Sequence, residues 1–455
     1  MFNEINPKKK LKTEEVVYDP AHFIRCHDTG KPKNRAFWEK SQVWDVSFEP
    51  DVSHPEKTTN LIATCGGNSI CVTNILTGEV LMKYRHKNKI EIFYTITWTV
   101  LPNELGGKNS VLVSGSLKGE ICMFQPEDKV CFYVWPFTRS LTKEEKIDPK
   151  RPEIEAINSI VFHSQNSKWL FIGLACGFIY LYDIGSNFIL PEYSKVDPQE
   201  LLKLEPHMGE IYNIIWTGNN SQWLMAGSKA GLIGWKIDED MVLDRDTVYT
   251  PITVDFHMPK HEKGDVTRNG STVDSLDVLN DYTIVCKCVA HGLLYVIDLT
   301  DTILELDRFD DKVCLRTEKE AKIVARLGWS KTDNFYMNMG CNRQGLICCG
   351  DDQGSLWVYN QPALVKRANL ENSKFHSEDA SIIEANVILM WPDLQGDHLT
   401  NNAETPQDER CNIIVDKVVV SHDSKYIVAV TSNNMVCTWK RIENMYNIQE
   451  GWHKS

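Results

Sequence analysis

Seven segments of this chain align as VWDVSF (43–48), FYTITW (93–98), INSIVF (157–162), IYNIIW (211–216), VDSLDV (273–278), FYMNMG (335–340) and VDKVVV (415–420). Their second positions read Trp44, Tyr94, Asn158, Tyr212, Asp274, Tyr336 and Asp416, and Phe335 stands beside Tyr336. If the seven segments are the innermost strands of a radial array, four aromatic side chains converge on one opening. Such a ring suits a methylated ammonium ion. Methylation keeps the positive charge but removes hydrogen-bond donors, so the ion is cheaper to desolvate and still attracted to aromatic faces, at about 0.5–2 kcal/mol per contact. Asp45, Asp274 and Asp416 are then expected at the channel rim, where they could steer a basic peptide inward. The pattern alone leaves an alternative, in which the same rings pack into the core between neighbouring strands.

Motifs for covalent chemistry are absent from the sequence. It has no GxSxG, HExxH or GxxxxGK[ST], and no GxGxxG between a strand and a helix. No catalytic, cofactor or metal residue is therefore assigned, and the protein is not expected to be an enzyme. The pair Asp351-Asp352 falls in a tight turn, where carboxylates bond their own backbone. His207 precedes the fourth segment and is read as a structural hydrogen-bonding histidine. The 14 cysteines form no CxxC; the closest pairs, Cys286/Cys288 and Cys348/Cys349, do not suit zinc, and Cys122 and Cys437 sit in apolar strand patterns. That usage points to a reducing compartment.

The elements that must position these residues recur in order. Each aligned strand is followed by an apolar strand ending in small residues. A Gly-containing turn comes next, as in GSLKG (115–119), GSKAG (227–231) and GDDQG (350–354). A strand ending in an aromatic and a polar residue follows, as in GLIGWK (231–236), SLWVYN (355–360) and MVCTWK (435–440). These endings are degenerate forms of the WD signature and predict an all-β fold, a seven-bladed WD-repeat β-propeller. The long spacing is assigned to polar surface insertions at 136–155, 251–271, 300–322, 360–382 and 395–412. HFIRCHD (22–28) is expected to supply the outer strand of the last blade. The domain plan is a polar leader over 1–20, the propeller over 21–441 and a tail over 442–455.

With 455 residues, 42% of them hydrophobic, the chain has ample material for a large core, and no apolar run approaches a membrane span. The first residues, MFNEINPKKKLKTEE, contain no apolar stretch of the secretory kind. The net charge of −13 argues against coating of nucleic acid and suits a basic partner, although acidity also serves solubility.

The chain resembles the WD-repeat half of the leucine-rich-repeat and WD-repeat family of origin-recognition-complex-associated proteins. The likeness runs from about residue 20 to 441. It rests on HFIRCH, QVWDVSFEP, LIATCGGNSICV, LTGEVLMKY, EIFYTITWT, ARLGWS, LICCGDDQGSLWVYN, ILMWP and the closing KYIVAV and CTWK. A weaker likeness, through VWDVSF, FYTITWT and NFYMNM, is to the Polycomb embryonic ectoderm development family. The resemblance implies a nuclear chromatin protein without enzymatic activity. Its implied partners are origin recognition complex subunits and histone tails carrying repressive trimethyl-lysine marks, with no membrane. The Polycomb likeness implies trimethyl-lysine cage roles for Trp44, Tyr94, Phe335 and Tyr336. Tyr212 gains no role from it and stays a candidate on its position. The first family carries leucine-rich repeats ahead of its propeller, and residues 1–20 contain none. The run Lys8-Lys9-Lys10-Leu11-Lys12 fits either nuclear import or a solvated linker. The competing reading is a Polycomb-like or general scaffold that holds proteins together without reading methyl-lysine.

Overall fold

The structure is a computed structural model. It describes residues 17–27, 42–103, 106–138, 154–185, 197–204, 209–217, 222–244, 249–259, 272–306, 316–367, 382–390 and 413–442. Seven sheets of four or five strands form seven blades of a β-propeller. The innermost strands are Val43–Pro50, Phe93–Pro102, Ile157–Phe162, Ile211–Thr217, Val273–Asn280, Gly340–Cys341 and Val415–Val420. Each neighbours the next around the axis, and the seventh returns to the first. Closure comes from the start of the chain. Tyr18–Ile24 pairs antiparallel with Val436–Arg441, from Tyr18 opposite Arg441 to Ile24 opposite Val436. The expected closing strand is thus present but begins earlier than His22, inside the stretch read as leader. His207 and the insertion core 395–412 lie outside the described residues.

Between blades the packing is close enough to explain the small residues that end each second strand. A Cβ on Gly115 would fall 2.5 Å from Ile157 Cγ2 of the next blade, and one on Gly350 would fall 2.3 Å from the Cβ of Val415. Neither gap can hold even a methyl group, so these positions fix how near two sheets approach. Aromatic strand endings fill the space beyond them: Phe124, Trp235 and Trp439 are all buried. Burying a residue such as Phe124 contributes about 1.5–3 kcal/mol.

Two of the expected surface insertions also contribute strands. Ile252–His257 completes the fourth blade, and Arg316–Glu320 then adds to it in parallel. RTEKE alternates exposed and half-buried residues, and a charged outer strand of this kind blunts an open sheet edge. Its charges are why it reads as loop in the sequence. Within 360–382, Pro362–Arg367 forms a short helix.

The sixth blade corrects the sequence reading. FYMNMG was expected as a complete first strand, yet regular pairing there is confined to Gly340–Cys341. Tyr336 has φ of +62°, which breaks an extended run. Side chains of the fifth blade take over as backbone partners. Asp274 accepts from the Tyr336 N–H at 3.0 Å, Ser275 from Met339 at 3.0 Å and Asp277 from Cys341 at 2.7 Å.

Candidate functional site

One irregularity recurs in six of the first strands. The ladder register shifts between Val43 and Asp45, Phe93 and Thr95, Ile157 and Ser159, Ile211 and Asn213, Val273 and Ser275, and Val415 and Lys417. The skipped residue is each time the second of the segment, so Trp44, Tyr94, Asn158, Tyr212, Asp274 and Asp416 are bulge residues. A bulge releases its residue from the ladder and re-aims its side chain. The next residue locks the blades together. Asp45 accepts from the Ile96 N–H at 2.9 Å, Ser159 from Ile214 at 3.0 Å and Asn213 from Leu276 at 3.0 Å.

The bulges bring the aromatics together. Trp44, Tyr94, Tyr212 and Tyr336 line one cavity of about 230 Å³, with Leu117, Ala156, Asn158, Ala175, Glu210 and Asn338. Trp44 meets Tyr94 edge-on at 5.1 Å between ring centroids and Tyr336 at 6.2 Å. Tyr336 meets Tyr212 edge-on at 5.3 Å. The T-shaped contacts hold successive rings nearly perpendicular, as the walls of a box require. Tyr94, Asn158, Tyr212 and Asn338 also line a second cavity of about 270 Å³ that continues along the channel. Phe335 is placed differently: it is 44% exposed, 5.7 Å from the Tyr212 ring, and absent from the cavity wall.

Glu210 is the wall residue that the sequence reading missed. Its Oε1 accepts from the Tyr336 hydroxyl at 2.6 Å and from Asn158 Nδ2 at 2.9 Å. The available signal was a carboxylate two positions before Tyr212, just ahead of the fourth first strand. Burial and then Glu210 push the Tyr212 phenol up to about 12, and burial with the Glu210 hydrogen bond also pushes Tyr336 upward. Both rings therefore stay neutral across the physiological range. Two polar wall atoms, Trp44 Nε1 and Asn338 Oδ1, are buried with no hydrogen-bond partner among the described residues. Such atoms are what an entering polar guest would satisfy.

The three acids expected at the rim are buried instead. Asp274 is fully buried and bonded to Lys287 Nζ at 2.7 Å, and Lys287 is itself fully buried, 5.1 Å from the centre of the Trp329 ring. Asp416 is buried beside Gln42, whose Nε2 donates to Oδ1 at 2.6 Å. Asp45 is bound to two backbone N–H groups and approached by Lys417 at 3.3 Å; it lines the channel below the aromatic box. Steering by these carboxylates is corrected on physical grounds: Asp45 and Asp274 are held by internal donors, and Asp274 and Asp416 are buried away from solvent.

In the acidic turn Asp351 bonds its own backbone as expected, whereas Asp352 is taken up by side chains of another segment. Asp351 accepts from the N–H groups of Gln353 and Ser355 and from Trp357 Nε1, while Asp352 accepts from Thr332 and Asn334. Two groupings elsewhere bring possible metal ligands within reach of one another: Cys26, His27 and Cys71, and His86, Glu91 and Glu120. In the first, both imidazole nitrogens are taken by hydroxyls, Ser69 at 2.8 Å and Thr64 at 2.9 Å. In the second, His86 Nδ1 accepts from the Asn88 N–H, which puts the ring proton on Nε2, 2.8 Å from Glu120. The first arrangement serves hydrogen bonding between strand and loop, and the second sets an imidazole close to a carboxylate.

Comparison with known proteins adds a lineage to this geometry. The family model for the WD domain of leucine-rich repeat and WD repeat-containing protein 1 matches residues 13–442. A protein of that name from Danio rerio is 27% identical over 453 residues, covering 95% of this chain and 52% of its own length. One from Xenopus laevis is 27% identical over 443 residues, covering 96% and 54%. One from Homo sapiens is 25% identical over 435 residues, covering 94% and 58%. The chain spans about half the length of the curated relatives it matches.

Proposed function

We propose that this chain, which belongs to the family of leucine-rich repeat and WD repeat-containing protein 1, is a chromatin-associated reader of methylated lysine on histone tails. The observation that carries this reading is the box itself: four rings from four blades around a cavity of about 230 Å³, with one carboxylate in the wall. Aromatic faces attract the methylated cation, and three or four such contacts with channel-edge hydrogen bonds suit roughly micromolar affinity, which needs about 8 kcal/mol. The net charge of −13 favours approach of a basic tail even though the three channel acids are internally committed.

The partner side of the proposal rests on the family resemblance. In this reading the protein works in the nucleus on chromatin, where it recruits or stabilises the origin recognition complex. The propeller is the rigid frame, and its rims carry the protein contacts. No catalytic step is assigned.

Titration calorimetry with histone-tail peptides tests the reader. A methylated peptide should bind at least about tenfold more tightly than its unmethylated form. Tyr94→Ala should remove that preference while the melting curve stays cooperative. Equal binding of both forms leaves the scaffold reading in possession. Affinity purification of the tagged chain should return origin recognition complex subunits; methyltransferase subunits in their place would mark a Polycomb-like scaffold.

A further inference from the structure

We infer that Lys87, Lys89 and Lys118 form a docking surface for the phosphate backbone of duplex DNA, beside the mouth of the aromatic box. This surface is separate from the methyl-lysine site and is measured without it. Strand register fixes its place. Arg85 ends the outer strand of the first blade opposite Ser69, Ser69 pairs with Gly66, and Gly66 pairs with Val43, next to Trp44. From there residues 86–92 cross the same face to Phe93 and Tyr94. The His86 N–H bonds the Asn68 carbonyl and the Leu117 N–H bonds the Ile92 carbonyl, both at 2.8 Å. Leu117 itself lines the box, and Lys118 follows it in the turn. The basic residues therefore lead from the edge of the first blade to the wall of the cavity.

Their charge is presented outward. Arg85, Lys87 and Lys89 are exposed and alternate with half-buried His86 and Asn88, while Lys118 is half-buried. Lys87, Lys89 and Lys118 have no ion pair among the described residues. Three acids stand close but leave an excess of positive charge. Glu91 is buried, Glu120 is taken by His86 at 2.8 Å, and Glu155 lies beyond Gly119, just ahead of the third blade. The chain's charge of −13 argues against coating of nucleic acid, yet a contact of this size depends on the local field. The neighbouring rings select the form of the ligand. Single strands are held by exposed aromatic platforms. Here Tyr84 is turned onto Phe124, with 4.9 Å between ring centres, and His86 onto Phe93 at 6.0 Å. Lysine ammoniums act as point charges, which suits sequence-independent contact with a duplex backbone. Chromatin presents DNA wrapped on histones, so a face that holds a histone tail at its mouth meets phosphates at its edge.

The test titrates a short DNA duplex into the full chain and its Lys87→Gln/Lys89→Gln/Lys118→Gln variant over a range of salt. Three phosphate contacts predict a log–log salt slope of about −2.7 for wild type, a loss of roughly 40-fold between 50 and 200 mM salt. The triple variant should bind about tenfold or more weakly at the low-salt end and lose most of that slope, and each single Lys→Gln should remove about one unit of it. Affinity for a methylated histone-tail peptide should match wild type, because none of the three lysines lines the box. Equal DNA affinity and slope in wild type and triple variant overturn the inference. So does a loss confined to a polyglutamate peptide run as the competing polyanion, which would mark an acidic protein as the partner. A methyl-lysine preference without DNA binding at low salt keeps the reader and defeats this surface. If the lysines govern DNA binding while methylated and unmethylated peptides bind alike, this surface stands and the reader falls.

Discussion

Asp274 and Asp416 occupy the same bulge position in the fifth and seventh blades, and the molecule treats them in opposite ways. Asp274 has a dedicated cation: Lys287 sits on the adjoining strand with its Nζ 2.7 Å away, both side chains sealed from water. The same carboxylate receives the Tyr336 N–H and so fastens a residue of the cavity wall whose φ of +62° an ordinary side chain rarely adopts. Asp416 has only the Gln42 amide; each acid also keeps one oxygen buried without a partner among the described residues, Oδ1 of Asp274 and Oδ2 of Asp416. Burial pushes both carboxyls upward. In Asp274 this outweighs Lys287 and the Tyr336 N–H, which pull it down, whereas in Asp416 only Gln42 opposes it, and it lies well above the usual carboxylate range. Repeat position and residue type are thus insufficient to define a role; the partner from a neighbouring strand or blade decides it.

The contrast can be broken most severely at Lys287. Lys287→Met strands a buried carboxylate, and chemical denaturation should register a loss of about 3–5 kcal/mol. A loss below about 1 kcal/mol would mean that Asp274 is adequately held by backbone donors alone. Asp274→Asn should cost somewhat less, about 3 kcal/mol, because Lys287 loses its counter-charge while the amide oxygen can still accept a bond. It should also weaken methylated-peptide binding more than unmethylated, through the released Tyr336 backbone. An unchanged peptide preference would remove Asp274 from the site.

Asp416→Asn sharpens the comparison in the other direction. It should leave peptide binding alone and raise stability at neutral pH by about 1 kcal/mol, because no charge then needs burying. The sign with pH follows from the raised carboxyl. Below about pH 4 the aspartate is protonated in both folded and unfolded chains, so the variant gains nothing. Above that, the unfolded aspartate ionises first, wild type loses stability, and the advantage of the asparagine grows until the folded group ionises too. Thermal melts of both proteins from pH 4 to 8 give this directly; an advantage that shrinks with rising pH contradicts it.

Much of this architecture was legible because it repeats. Alternation of apolar residues, small residues at the blade contacts and aromatic strand endings are local signals, and they gave seven blades and the closing strand. Trp44, Tyr94, Tyr212 and Tyr336 were legible as a set because they share the second position of their segments, where six of the seven carry the bulge. The sixth first strand was not, since the turn at Tyr336 is imposed by Asp274 from another blade rather than by its own residue type. Glu210 was missed because it lies outside the aligned positions and earns its place through contacts with Tyr336, 126 residues away in sequence. The burial of Asp274 did leave a trace: Lys287 lies within TIVCKC, where a lone charge in an apolar strand signals an internal partner.

The closing strand also sets the order in which this molecule can assemble. Tyr18–Ile24 is made about 400 residues before its mate, Val436–Arg441. At 5–20 residues per second that interval lasts roughly 20–80 seconds, during which the early segment has no native sheet to join. The circle therefore cannot shut before its last blade has been made, and the nascent polypeptide must shield an unsatisfied hydrogen-bonding edge until then.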